Sequence, residues 1–314
     1  MSNAVREFVA KDAAREQVPV LAGLMGASSS GKTYSALRLA TGMQRITGGD
    51  ICVIDTESRR SLHYADQFKF KHIEFREPFG SLDYLAALQH CVNIGAKVIV
   101  VDSMSHEHEG PGGYLDVHEQ ILDKRAGDDW KKREALNMLA WVEPKQNRRK
   151  LINGILRLNA NFIFCFRAGT SAKPVKVGGK TEIVQQGYVA ISGKEFIFEM
   201  TMAALLMPGS QGRPTWQSEE PGERAAIKLP RQFQQVFADG RQLDEDIGQQ
   251  LAEWARGRPP MTPEESERLD RLEARGAEAA EMGEEAKAKW WASISKADQQ
   301  ALKARRASRM GAWQ

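Results

Sequence analysis

The sequence has few cysteines, no long apolar run and almost no excess of either charge. Three cysteines in 314 residues, Cys52, Cys91 and Cys165, are too scattered and odd in number for a disulfide frame or a metal centre. They read instead as small core side chains in a reducing compartment. No stretch has the length of apolar residues that a bilayer crossing requires. Residues 1–17 carry charges where a secretion signal needs an apolar run, so a cytoplasmic protein without membrane contact is expected. Forty-four basic residues against 41 acidic ones leave a formal charge of +3, so any basic surface must arise from local clustering. The hydrophobic share of 42% and the charged share of 27% suit a globular chain with one large core and a small appendage.

Against that background one stretch stands out, VPVLAGLMGASSSGKTYSALRLA over residues 18–40. An apolar strand-like run ends in Gly26-Ala27-Ser28-Ser29-Ser30-Gly31-Lys32-Thr33, and a helical pattern begins at Tyr34. Two glycines with four residues between them, followed by Lys and Thr and set between a strand and a helix, make a phosphate loop. The glycines let backbone N–H groups point inward, and the helix adds the positive end of its dipole. Residues 26–34 are therefore the expected cradle for a nucleotide triphosphate. Lys32 reaches the β- and γ-phosphates, and the Thr33 hydroxyl ligates Mg²⁺.

Two further runs bring carboxylates to strand ends. Ile51-Cys52-Val53-Ile54 closes in Asp55-Thr56-Glu57, and Val98-Ile99-Val100-Val101 closes in Asp102. Both runs are continuously apolar, as strands buried on two faces are. In open α/β sheets ligands gather at that edge. Asp102 is the expected partner of Mg²⁺, directly or through water. Glu57 brings a further carboxylate to that edge or caps the following helix.

Between these landmarks the pattern predicts a strand at Lys71–Phe75 and a helix over 82–94 capped by Ser81. A mostly helical stretch of three helices follows, over 114–123, 128–142 and from Pro144. Lys145, Arg148, Arg149 and Lys150 collect on one side of the third, as a solvated face or a DNA contact. A strand at Phe162–Phe166 closes in Arg167. Residues 168–187, with Lys173, Lys176 and Lys180, read as a loop running into a hairpin. The runs 196–200 and 203–207 read as late antiparallel strands, and 225–229 as a last strand-like piece. A closing helix spans 243–256. His106-Glu107-His108-Glu109 reads as a polar loop, with Glu107 as a second acid or the histidines as a metal site that lacks a third ligand.

The expected organisation is an N-terminal arm 1–17, a core domain 18–257, a linker 258–263 around Gly257-Arg258-Pro259-Pro260, and a small helical module 264–314. That module is charge-segregated. Residues 264–285 hold nine acids and three bases, and 286–314 hold one and seven. Trp290 and Trp291 form its core or stack on a base.

Taken together, GASSSGKT, VIDTESRRSLHYADQF, VIVVDSMS and NFIFCFRAG resemble the RecA-like recombination ATPases, and most closely their phage-encoded single-strand annealing members. DSMSHEHEG, GDDW and KEFIFEMT add to that resemblance, which spans about residues 18–257. It implies an α/β fold with a mostly parallel sheet, late antiparallel strands and a small C-terminal helical module. It also implies an ATPase using ATP and Mg²⁺, with Lys32, Glu57 and Arg167 catalytic and Thr33 and Asp102 on the metal. The implied partners are single-stranded DNA, a single-strand-binding or other phage recombination protein, and further copies of the chain in a homo-oligomer, within the host cytoplasm. Such sites lie between subunits, which makes Lys176, Lys180 and Lys194 candidates for a neighbour's cation. Cellular recombinases carry glutamine where this chain has Arg167. An arginine there either contacts the γ-phosphate or pairs with an acidic neighbour. The rival reading is a nucleotide-gated adaptor or helicase loader, in which ATP sets conformation. A small-molecule kinase is disfavoured by the strand order and by Glu57.

Overall fold

A computed structural model describes residues 18–177, 180–237, 240–257 and 262–310. The expected arm 1–17, the glycine pair 178–179 and residues 258–261 of the expected linker lie outside the described residues. The strands are β1 (Leu21–Gly26), β2 (Asp50–Asp55), β3 (Lys71–Glu74), β4 (Ala96–Asp102), β5 (Asn161–Val177), β6 (Lys180–Ala190) and β7 (Met202–Leu206). Six of them form a sheet in the order β3-β2-β4-β5-β1-β7, parallel throughout, and β6 pairs antiparallel with the outer half of β5.

Parallel strands need covering on both faces, and alternate side chains supply two cores. On one face Leu24, Val53, Val100 and Cys165 meet α1 (Lys32–Thr47) and α9 (Glu245–Ala255). On the other, Met25, Ile54, Val101, Phe164 and Phe166 meet α2 (Ser81–Asn93) and α6 (Val142–Ile155). The first face is closely approached. A Cβ on Gly42 of α1 would lie 1.8 Å from Glu245 O, and one on Gly248 of α9 would lie 2.1 Å from Leu39 O. Only glycine lets the two backbones cross at that distance. All three cysteines are free and buried, as small core residues would be.

The second face also carries α3 (Ser105–Glu109), α4 (Tyr114–Ala126) and α5 (Trp130–Ala140). The HEHE segment is thus a short helix, and no group of three potential metal ligands occurs among the described residues. Glu107 is buried in an ion pair with Arg148, whose Nη2 lies 2.8 Å from Oε2. Glu107 is thus a buried acid that does not line the nucleotide cleft, and Arg148 is not part of a solvated basic face. The Arg148 guanidinium also lies 3.4 Å from the Tyr114 ring centroid, and the pair ties α3, α4 and α6 together. Ser81 is the first residue of α2 and not its cap, and its hydroxyl donates to Glu107 Oε1 at 2.5 Å.

The hairpin expected within 168–187 is present, but residues 168–177 are strand and not loop. β5 continues past the sheet to Val177 and pairs antiparallel with β6 as a two-stranded ribbon, with a register shift between Ser171 and Ala172. Its base is anchored by Glu223, whose carboxylate accepts from Tyr188 N at 2.9 Å and Ser218 Oγ at 2.6 Å. Gly187 adopts φ +67° there, and a Cβ would strike the Glu223 carboxylate. Residues 196–200, expected as a strand, lie in α7 (Lys194–Glu199) and its C-cap. Phe196 and Met200 are both buried while Phe198 between them is 72% exposed, whereas a strand would place all three on one face. β7 follows, as predicted from residues 203–207, but runs parallel to β1. The 225–229 strand is replaced by α8 (Pro221–Ala226) and one bridge from Lys228 to Ala203.

Beyond α9 stand α10 (Pro263–Glu281), α11 (Glu284–Ser293) and α12 (Lys296–Met310). Thr262 and Glu265 form a capping box at the start of α10. Trp290 rests on Gly276, where a Cβ would come within 2.5 Å of the indole ring. No described helix is long and apolar enough to cross a membrane.

Candidate active site

Strand register collects the functional side chains. Gly26 at the end of β1 is level with Arg167 on β5 and Leu206 on β7, and Asp55 on β2 is level with Asp102 on β4. The ends of β1, β2, β4 and β7 therefore open on one edge that β5 crosses at Arg167, with the phosphate loop between them. At Gly26 a Cβ would lie 2.4 Å from Ser30 Oγ and 2.5 Å from Leu206 O, so the close turn admits no side chain. Gly31 caps α1 at φ +91°, which places the loop on the positive end of that helix. The Ser30 hydroxyl is buried without a protein partner.

Lys32 folds over the loop, its Nζ donating to Gly26 O at 2.9 Å and Ala27 O at 2.7 Å. Burial pushes its pKa down, while the nearby Asp102 and Glu57 charges oppose that shift. Thr33 Oγ1 donates to Asp102 Oδ2 at 2.5 Å. Asp102 is 5% exposed, and burial raises its carboxyl to about 6 against the hydrogen bond from Thr33.

Glu57 stands across the cleft. Its Oε1 accepts from Arg167 Nε at 2.7 Å, and Arg60 Nη1 lies 3.5 Å from Oε2. Burial pushes its pKa up, but the Arg167 hydrogen bond and charge outweigh burial and leave it below the ordinary value. Of the two readings left open for Arg167, the acidic pair is present, and its partner is Glu57 itself. The guanidinium is still 41% exposed on the cleft wall.

Sequence reasoning did not single out what holds Glu57. Asp55 is buried, and its Oδ1 accepts the Glu57 N–H at 2.8 Å. Its Oδ2 accepts from Ser61 N at 2.9 Å and Ser61 Oγ at 2.5 Å. These bonds close a turn in which Ser58 and Arg59 take φ +54° and +69°, a region costly for side-chain-bearing residues. The available signal was three polar residues in a row at a strand end, with no indication of which one would turn inward.

The cleft bounded by these groups encloses about 620 Å³. The loop and Lys32 form one wall, and Glu57, Arg60 and Arg167 another. Tyr34 and Tyr64 supply an aromatic end, their centroids 5.6 Å apart. Lys176, Lys180 and Lys194 do not line it. The loop offers N–H groups and a cation to phosphates, and Thr33 with Asp102 offers oxygen ligands to a hard divalent ion, so the residues fit both groups.

A family model described as an AAA domain matches residues 19–194, from just before β1 to the start of α7. That segment contains the phosphate loop, Glu57, Asp102 and Arg167. No curated protein matches the chain.

Proposed function

The chain belongs to the AAA-domain family of nucleotide-binding ATPase domains, and from that premise we propose a Mg²⁺-dependent ATPase of phage DNA recombination, repair or replication that couples ATP to single-stranded DNA. The observation that carries the reading is the convergence on one sheet edge of two pairs, Thr33 with Asp102 and Glu57 with Arg167.

In this mechanism the loop N–H groups and Lys32 hold the phosphates and neutralise charge as the γ-phosphoryl loosens. Mg²⁺ supplies further neutralisation of the β- and γ-oxygens when bound. Arg167 holds Glu57 Oε1, and Oε2, approached by Arg60 at 3.5 Å, orients a water, while the lowered pKa keeps Glu57 ionised at neutral pH. Water adds to the γ-phosphorus, the bond to the β,γ-bridging oxygen breaks, and ADP and phosphate result. Arg167 lies where β5 passes from sheet to ribbon, so a guanidinium drawn towards phosphate acts on the base of the ribbon that carries Lys173, Lys176 and Lys180.

Steady-state ATPase rates with and without saturating single-stranded DNA test the proposal. Stimulation is expected. A measurable rate that DNA leaves unchanged would favour the nucleotide-gated adaptor or loader. Glu57→Gln should lower kcat by about 100-fold or more while ATP still binds. Retained turnover would remove Glu57 from the catalytic role.

A further inference from the structure

One side chain outside these groups reaches the ends of both carboxylate-bearing strands. His106, on α3, places Nδ1 2.7 Å from Thr56 Oγ1. Thr56 Oγ1 also lies 3.0 Å from Ser103 O and receives the Ser103 N–H at 2.7 Å. His106 Nδ1 and Thr56 Oγ1 share one hydrogen bond, whose direction follows the histidine tautomer. Thr56 directly precedes Glu57, and Ser103 directly follows Asp102, so one hydroxyl staples the two strand ends together.

The histidine is itself pinned. Its ring stacks on Phe79 at 4.9 Å and 22°, and the Phe79 N–H donates to Pro111 O at 2.8 Å. Its neighbour Ser105 accepts the Arg167 N–H at 2.9 Å through its hydroxyl. Glu107 anchors the same short helix to Arg148. Burial and the Arg167 charge both push the His106 pKa down, which disfavours a second cation against Arg167.

We infer that His106 is a positioning residue: by fixing Thr56 between β2 and β4 it sets the separation of the water-orienting Glu57 from the metal-holding Asp102. The inference rests on the reading of this cleft as a site of ATP hydrolysis. It separates from a merely packed core histidine in what it leaves untouched. His106 is not among the residues that line the cleft beside the phosphate loop, so displacing Glu57 relative to Asp102 affects turnover more than nucleotide affinity.

The test uses the full chain, with ATPase kinetics, affinity for a fluorescent ATP analogue, and melting temperature. His106→Leu keeps an apolar body against Phe79 but removes the hydrogen-bonding nitrogen, and kcat should fall about tenfold or more with KM and analogue affinity within about twofold. His106→Asn, whose amide can donate to or accept from Thr56, should recover kcat to within about threefold of wild type. Thr56→Val should reproduce the leucine defect and Thr56→Ser should not, and this pair decides the matter if the leucine variant does not fold. A smaller loss in His106→Leu, an asparagine variant as impaired as leucine, or a rise in KM together with a fall in melting temperature would each overturn the inference. If wild type itself does not turn over ATP, the hydrolytic reading falls and takes this one with it. If wild type turns over ATP and His106→Leu matches it, only the positioning role falls.

Discussion

Asp102 keeps its proton to about pH 6 in the folded chain, whereas the ordinary aspartate value is 3.8. Between those values the unfolded state binds fewer protons than the folded one, so stability falls as pH rises through the window and stays lower above it. A gap of that width corresponds to roughly 3 kcal/mol. Asp102→Asn keeps an acceptor for the Thr33 hydroxyl and removes the buried charge. The nucleotide-free variant should therefore be more stable than wild type at pH 7, with the difference vanishing towards pH 4, as urea titrations at several pH values would show. The same substitution should abolish the rise in melting temperature given by Mg·ATP. Lys32 and Asp102 were legible from the loop pattern and from the strand ending in a carboxylate. Asp55 was not, because which of two neighbouring acids turns inward depends on the 58–61 turn, and that turn is closed by tertiary hydrogen bonds.

At the scale of elements, Arg148 shows why a basic run can mislead. Lys145, Arg149 and Lys150 are exposed, but Pro144, Arg148, Leu151 and Ile155 share one buried face at helical spacing. The period placed Arg148 inside, and its charge obscured that placement. Removing one member of a buried pair leaves the other uncompensated, so Arg148→Ala should cost about 3–5 kcal/mol by denaturant unfolding, and Arg149→Ala should be nearly neutral. The parallel strands were readable because burial on two faces leaves continuous apolar runs. The length of the ribbon's strands and the helix α7 were not, since polar strands that project from the sheet have no core to imprint a period, and a helix of under two turns is too short to show one.

For the whole molecule a net charge of +3 gives no general affinity for polyanions, so the proposed DNA binding would have to come from local cations. If the ribbon supplies them, the slope of log affinity against log salt for single-stranded DNA should lessen by about 0.7 for each of Lys173, Lys176 and Lys180 changed to alanine. Equal slopes in wild type and the triple variant would exclude the ribbon. The continuity of β5 has a mechanical consequence. One strand is both a floor beam of the nucleotide cleft and the shaft of the ribbon, and the stretch from Arg167 to Val177 reaches about 33 Å. Tilting that shaft by about 5° at its root carries the tip by about 3 Å, the spacing of one residue along a strand. A small change in how Arg167 is held is thus geared up into a displacement large enough to alter contacts at the far end, without any rearrangement of the sheet.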